Sequence, residues 1–240
     1  MAAGCAAGLD YDPRAARAPL TAVKIPGKPQ GPSPKAALVT LLADHPERNV
    51  IRLELRHNVI LQSLDDEHRA ELEPHLTIVD CRKGDILLEQ GVRLMGQYFI
   101  LSGILKRVVA NPQGKEMILR FAGPQDMETS YAAWRLGTPT PYGIVCVSPA
   151  RVARLTMTEW VAFLERNPQA KSSFEVAVMR GMSEIMAHTI TLHLLDAPGR
   201  VHRFWRKHPE LARVLPQKQL ASHLNLSAET LSRLRRSGKI

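Results

Sequence analysis

Between residues 77 and 157 apolar and polar positions alternate with a period of two, in the short runs TIVDCRKGDILLEQG, GQYFILSGILKRVVA, GKEMILRFA and YGIVCVSPARVARLTM. These runs are rich in Ile, Val and Leu. They are punctuated by Gly84, Gly91, Gly96, Gly103, Gly114 and Pro149, where turns are cheap. About seven or eight short strands at this turn spacing predict a barrel or sandwich. On either side the period lengthens. A short helix is expected over Lys35–Leu42, ending before His45-Pro46. Another is expected in LDDEHRAELEPHL, capped by Ser63 or Asp65, with Leu64, Leu72 and Leu76 on its apolar side. TEWVAFLERN predicts a helix capped by Thr158.

From Pro168 to about Leu195 the pattern is that of one long helix. Phe174, Val178, Gly181, Ile185, His188, Leu192 and Leu195 step by three and four and read as a heptad seam for a dimer, Gly181 and His188 being its imperfections. Met179, Met182 and Met186 widen the apolar face, which favours dimerisation over the other reading, a helix packed on its own barrel. Asp196-Ala197-Pro198-Gly199 breaks the helix and marks a boundary. The fold class is therefore α+β, in four parts. Residues 1–36 are a proline-rich extension without periodicity, expected to be disordered. Residues 37–165 form a sensor-like β domain, 166–195 the dimerisation helix and 196–240 a small all-α domain.

The ending VLPQKQLASHLNLSAETLSRLRRSGKI has the spacing of a helix-turn-helix. Pro216 opens a helix running to about Leu224, and Ser227 caps a second. Ala221 is small where the helices cross, Leu220, Leu224, Leu226, Leu231 and Leu234 supply a shared core, and Asn225 stands where a left-handed backbone is needed. On the second helix Ala228, Glu229, Ser232, Arg233 and Arg236 face outward. Arg233 suits guanine O6 and N7, Glu229 cytosine N4, and Ser232 either base type. Ser222, Ser227, Thr230, Arg235, Arg236 and Lys239 are candidates for phosphate oxygens. A Glu229–Arg233 ion pair on an ordinary helix surface is the competing reading.

Charge sharpens this picture. Residues 196–240 carry ten basic and three acidic residues, whereas 37–195 carry 17 basic and 18 acidic. A basic terminal domain on a near-neutral body points to a polyanion such as double-stranded DNA. Cys5, Cys81 and Cys146 are too few for a disulfide framework or an iron–sulfur cluster, which excludes iron–sulfur sensing. No apolar run is long enough for a membrane span or a signal peptide, and a cytoplasmic setting is expected. Haem stays open as an alternative with Cys81, His75, Cys146 and His188 as available ligands, although such lone residues are more often packing or surface groups. No nucleophile–base–orienter set supports an enzyme.

The order of β domain, long helix and helix-turn-helix, with KGDILLEQG, YFILSGILKRV and LSAETLSRL, resembles the bacterial Crp/Fnr transcription regulators from about His57 to Arg236. The resemblance implies a jelly-roll-like cyclic-nucleotide-binding-type β-roll, a homodimer on palindromic DNA and contact with RNA polymerase. It also places Glu229, Ser232 and Arg233 on base-contacting positions of the branch that reads TTGAT-type half-sites. Two departures stand out. Thr129-Ser130 occupies the place of the Gly-Glu pair that cyclic-AMP members use, and Thr140-Pro141-Tyr142 that of Arg-Ser-Ala, which argues against cyclic AMP. Arg135 is the one nearby cation seen in the sequence. The recognition helix is also followed by no β-hairpin wing, as in a wingless subgroup, with Arg235, Arg236 and Lys239 as partial replacements. An effector pocket is expected around Met127, Thr129, Ser130, Tyr131 and Tyr142, roofed by Met182. The rival reading is a ligand-binding adaptor whose terminal helices contact protein instead of DNA.

Overall fold

The computed structural model describes residues 38–240; the extension at 1–36 lies outside them. Nine strands form two antiparallel sheets. The larger holds β1 (Leu38–Leu41), β2 (Thr77–Cys81), β9 (Ala150–Thr156), β4 (Gly96–Ser102) and β7 (Met127–Thr129), in that order across the sheet. The smaller holds β3 (Ile86–Leu88), β8 (Gly143–Cys146), β5 (Leu105–Ala110) and β6 (Glu116–Ala122). The sheets face one another through Val79, Ile100, Leu105, Ile144 and Val152, all buried.

Strand β4 shows how the alternation is spent. Tyr98 and Ile100 point between the sheets, while Phe99 and Leu101 point to the other face, against helices. A strand covered on both sides is apolar at nearly every position, so β4 reads as a continuous run. Gly103 makes the turn into β5 at φ +83°. A Cβ there would lie 2.3 Å from the Pro149 carbonyl oxygen, so no other residue fits without moving the backbone.

The helices covering the larger sheet are α1 (Arg48–Arg56), α2 (Asp66–Leu72), α4 (Met157–Arg166) and α5 (Pro168–Leu194); α3 (Tyr131–Arg135) follows β7. Three local expectations change, and a fourth narrows to one of its two alternatives. The helix expected over Lys35–Leu42 is β1 over its described part, paired antiparallel with β2 from Leu38↔Asp80 to Leu41↔Thr77; an open sheet edge wins over weak helical propensity. Helix α1 has no counterpart among the expected elements; Ile51 and Leu55 are its buried residues. Asp65, and not Ser63, caps α2 by accepting from the His68 N–H at 2.9 Å. Helix α4 is capped by Thr156 instead of Thr158, in a capping box with Glu159, because Met157 is needed in the core.

Helix α5 is fastened to the roll by aromatic packing. Phe174 is fully buried, 5.3 Å from Trp160 and 5.1 Å from Tyr131 between ring centroids, both edge-on, and Trp160 is edge-on to Phe99. That contact sets the rotation of α5 and corrects the seam. Of the expected seam, Phe174 is buried and Val178 packs on the protein's own roll, while Ile185 and Leu192 are half-buried. The outward stripe is Val176, Met179, Met182, Met186, Ile190 and Leu194, each about half exposed or more. Beyond α5 come α6 (Ala197–Lys207), α7 (Pro209–Val214), α8 (Gln217–His223) and α9 (Ala228–Arg236). Asp196 caps α6 by accepting from the Gly199 N–H.

Phe174→Ala should remove this aromatic anchor and cost about 3–5 kcal/mol, as large-to-small core changes do. The urea midpoint would report it, and a loss below ~1 kcal/mol would mean α5 is held elsewhere.

Candidate nucleic-acid interface and the interior of the roll

The helix-turn-helix is built as its spacing dictates. Leu220, Ala221, Leu224 and Leu231 are buried together, with Leu226 packed against them. Asn225 has φ +52°, the left-handed turn between α8 and α9. Ser227 Oγ accepts from the Thr230 N–H at 3.0 Å, capping α9. At its other end Gly238, at φ +65°, donates to the Arg235 carbonyl and Lys239 to that of Leu234, a Schellman ending. Both ends of a nine-residue helix are therefore satisfied without a partner domain.

The outer face of α9 carries Glu229, Arg233 and Arg236, all exposed, with Ser232 half-buried beside them. Among the described residues none of the three charged groups makes an ion pair within the chain, so the competing reading of a Glu229–Arg233 surface pair has no support in the structure. Arg235 leans over the Trp205 ring, 6.0 Å from its centroid. Lys239 is exposed, and Thr230 shares its hydroxyl with Ser227 at 2.9 Å.

Ser222 departs from expectation. Its hydroxyl donates to the Glu116 carbonyl at 3.2 Å, so α8 lies against β6 of the roll and presents Ser222 there. The same docking buries His223, whose Nδ1 lies 3.0 Å from the Ile118 carbonyl. The His188 ring of α5 stacks flat on it, centroids 3.9 Å apart, with Nε2 2.9 Å from the His223 carbonyl. Since carbonyls only accept, each ring donates one N–H, and the pair links α5 to α8 and α8 to β6. Burial pushes both imidazoles below their ordinary value of 6.5, His223 to about 3, helped by its closeness to His188.

The region expected to hold an effector is filled by its own side chains. Met127, Thr129 and Ser130 are buried, and Tyr131 packs on Trp134 and Phe174. Met182 does not roof them; it is 56% exposed on the outward stripe, because Phe174 turns the helix the other way. Two arginines missed in the sequence enter instead. Arg107 of β5 reaches Glu128 through Nε at 3.0 Å and Nη2 at 2.5 Å, and donates to the Thr129 carbonyl at 3.3 Å. Its guanidinium lies 4.2 Å above the Tyr142 ring, and the Tyr142 hydroxyl donates to the Thr129 carbonyl at 2.7 Å. Arg120 of β6 pairs with Asp126 and approaches the other Glu128 oxygen at 3.4 Å. Lys106-Arg107 within an otherwise apolar strand was the available signal. Arg135 is exposed. Thr140 spends its hydroxyl on the Tyr142 carbonyl at 2.5 Å. This donor set does not fit a cyclic phosphate: the guanidinium that would meet it is neutralised by Glu128, and no free hydroxyl stands at Thr140.

Of the other candidate ligands, Cys81 and Cys146 are free thiols buried in one core cluster, and Cys81 Sγ donates toward the Val79 carbonyl at 3.8 Å. His75 is half-exposed near Glu159, and His188 is committed to His223. No group of three or more His, Cys, Asp or Glu among the described residues could hold a metal ion, and no described helix is long and apolar enough to cross a membrane.

Comparison with known proteins agrees with this geometry. The cyclic nucleotide-binding domain family matches residues 78–167. The chain is 22% identical over 190 residues to the nitrogen fixation regulation protein FixK of Bradyrhizobium diazoefficiens, covering 75% of this chain and 78% of that protein. It is 25% identical over 187 residues to the CRP-like cAMP-activated global transcriptional regulator of Mycobacterium tuberculosis, covering 72% and 82%. Among solved structures, a transcriptional regulator of the Crp/Fnr family from Eubacterium rectale superposes with a TM-score of 0.62 at 15% identity, over 76% of this chain and 87% of that one. The roll thus resembles a cyclic nucleotide-binding domain over residues 78–167. With the long helix and helix-turn-helix behind it the chain has the Crp/Fnr architecture, and the resemblance carried by its sequence holds.

The buried histidines predict a pH dependence. A ring held neutral when docked takes up its proton first when released, so docking is at full strength above about pH 6.5. It weakens as pH falls toward 3, by about 1.4 kcal/mol per pH unit for one ring. The thermal midpoint should drop between pH 7.5 and 5.5, and His223→Gln should flatten that drop. Equal slopes in the two proteins would remove His223 as the cause.

Proposed function

We propose that this protein is a sequence-specific DNA-binding transcription regulator, acting as a homodimer on a palindromic site through α9. The observation that carries the reading is the outer face of α9. Glu229, Ser232, Arg233 and Arg236 stand together on a helix capped at both ends, with their charges uncommitted. An exposed arginine and carboxylate with no internal partner are poised for base edges, Arg233 for guanine and Glu229 for cytosine. Arg235, Arg236, Lys239, Ser227 and Thr230 flank them as phosphate contacts. Ser222 joins them only if α8 leaves β6.

The dimer interface in this reading is the stripe of Val176, Met179, Met182, Met186, Ile190 and Leu194, a row of apolar side chains too large to leave in water on a 27-residue helix. Two copies joined there would present two reading helices to half-sites about 34 Å apart. Contact with RNA polymerase follows from the Crp/Fnr resemblance. The effector, where one acts, is something other than cyclic AMP, since Arg107 is already paired with Glu128.

Selection of bound duplexes from a random pool tests the reading directly. A palindrome with TTGAT-like halves is the expected outcome; no enrichment, with or without cell extract, would favour a protein-binding adaptor. On the selected site, affinity should fall steeply with salt, about a thousandfold between 50 and 200 mM for a dimer making several phosphate contacts. Arg233→Ala should relax preference at one base position and cost about 1–3 kcal/mol. An equal loss on all sequences would make Arg233 a phosphate contact. Ile190→Glu should give monomers in sedimentation and abolish palindrome binding while leaving the melting temperature of the roll in place; a dimer that survived would move the interface off this stripe.

A further inference from the structure

A solvent-open cleft lies where the roll, α5 and the terminal domain meet. The roll's own interior is closed by Arg107, Glu128 and Tyr142, and this cleft is separate from it. Its floor is apolar, formed by Leu119 and Phe121 of β6, Phe204 of α6 and Leu224 after α8. Its rim is cationic. Arg200, Arg203 and Lys207 are spaced by three and four on α6 and so share one helix face, which is the face that lines the cleft.

None of these three cations is spent on a carboxylate among the described residues. Arg200 donates from Nε to the Leu195 carbonyl at 2.9 Å and from Nη1 to the Leu224 carbonyl at 3.3 Å, leaving donors on Nη2. Glu184 of α5 is the one acidic side chain among the described residues that line the cleft, and its field falls on Arg120 and His208. Like charges gathered around an apolar floor repel one another, and that repulsion is relieved by a counter-charge held between them. Guanidinium forks and a lysine ammonium on one side suit a head group of several negative charges.

We infer that this cleft is a binding site for a small phosphorylated metabolite, whose phosphate groups are held by Arg200, Arg203 and Lys207. Such an occupant touches α6 on one wall and α5 and β6 on the other. It would therefore tie the terminal domain to the roll with α8 docked on β6, next to the His188–His223 stack. The site stands independently of whether α9 reads DNA, because binding is measured on the protein alone.

Pyrophosphate is the simplest probe of the head-group site. Titrating the full-length protein calorimetrically in 150 mM NaCl should give saturable one-to-one binding and a raised melting temperature. The double variant Arg203→Gln/Lys207→Gln, both positions exposed and not needed for folding, should weaken binding tenfold or more. The control pair Arg82→Gln/Lys83→Gln, exposed cations outside the cleft, should leave it unchanged. The absence of saturable binding in the wild type would overturn the proposal. So would an equal loss in both double variants, which would reduce the effect to general surface charge.

Discussion

The burial of Phe174 between Trp160 and Tyr131 decides which way α5 faces, and the placement of both the outward stripe and the terminal domain depends on that rotation. A long helix with apolar residues on two sides has two ways to lie on a sheet. Only one of them puts a fully buried aromatic ring against the core. With Phe174 inside, the methionine-rich stripe must face outward, Gly181 lies close enough to the roll for Arg120 to pass over it, and His188 turns toward the terminal domain. The helix thereby has two apolar edges, one packed on its own roll and one facing outward.

The roll itself has the shape of a nucleotide-binding domain and the interior of a closed one. Glu128 is completely buried, and two guanidiniums converge on it. Removing one partner of such a pair would strand a charge in a low-dielectric interior, so the arrangement is hard to open piecemeal. The free space that remains has moved to the seam between the roll and the terminal domain, where α8 sits on β6 through Ser222 and His223. The exposed face of α9 and the α8 surface docked on β6 thus belong to one small domain.

Much of this was legible along the chain. Period-two runs closed by glycines announce strands, because a sheet turns alternate side chains to opposite faces wherever it is formed. The helix-turn-helix was legible to the residue, Asn225 and Ser227 included, because its constraints are local: a left-handed turn, a cap and a small residue at the crossing. Strand β1 and helix α1 were not, since each owes its form to a neighbour distant in sequence, β1 to β2 and α1 to the sheet it covers.

The sequence by itself therefore determined the order of parts, the strands' periodicity, the basic terminal domain and the outward set of α9. Only the tertiary structure decided which of two apolar faces of α5 is buried, since periodicity marks a face as apolar without saying what covers it. It also decided that Arg107 and Glu128, 21 residues apart, meet and close the roll, that the two buried cysteines share one core cluster, and that three cations of α6 overlook a cleft. Charges and pockets of this kind arise from distances between segments, and those distances exist only once the chain has folded.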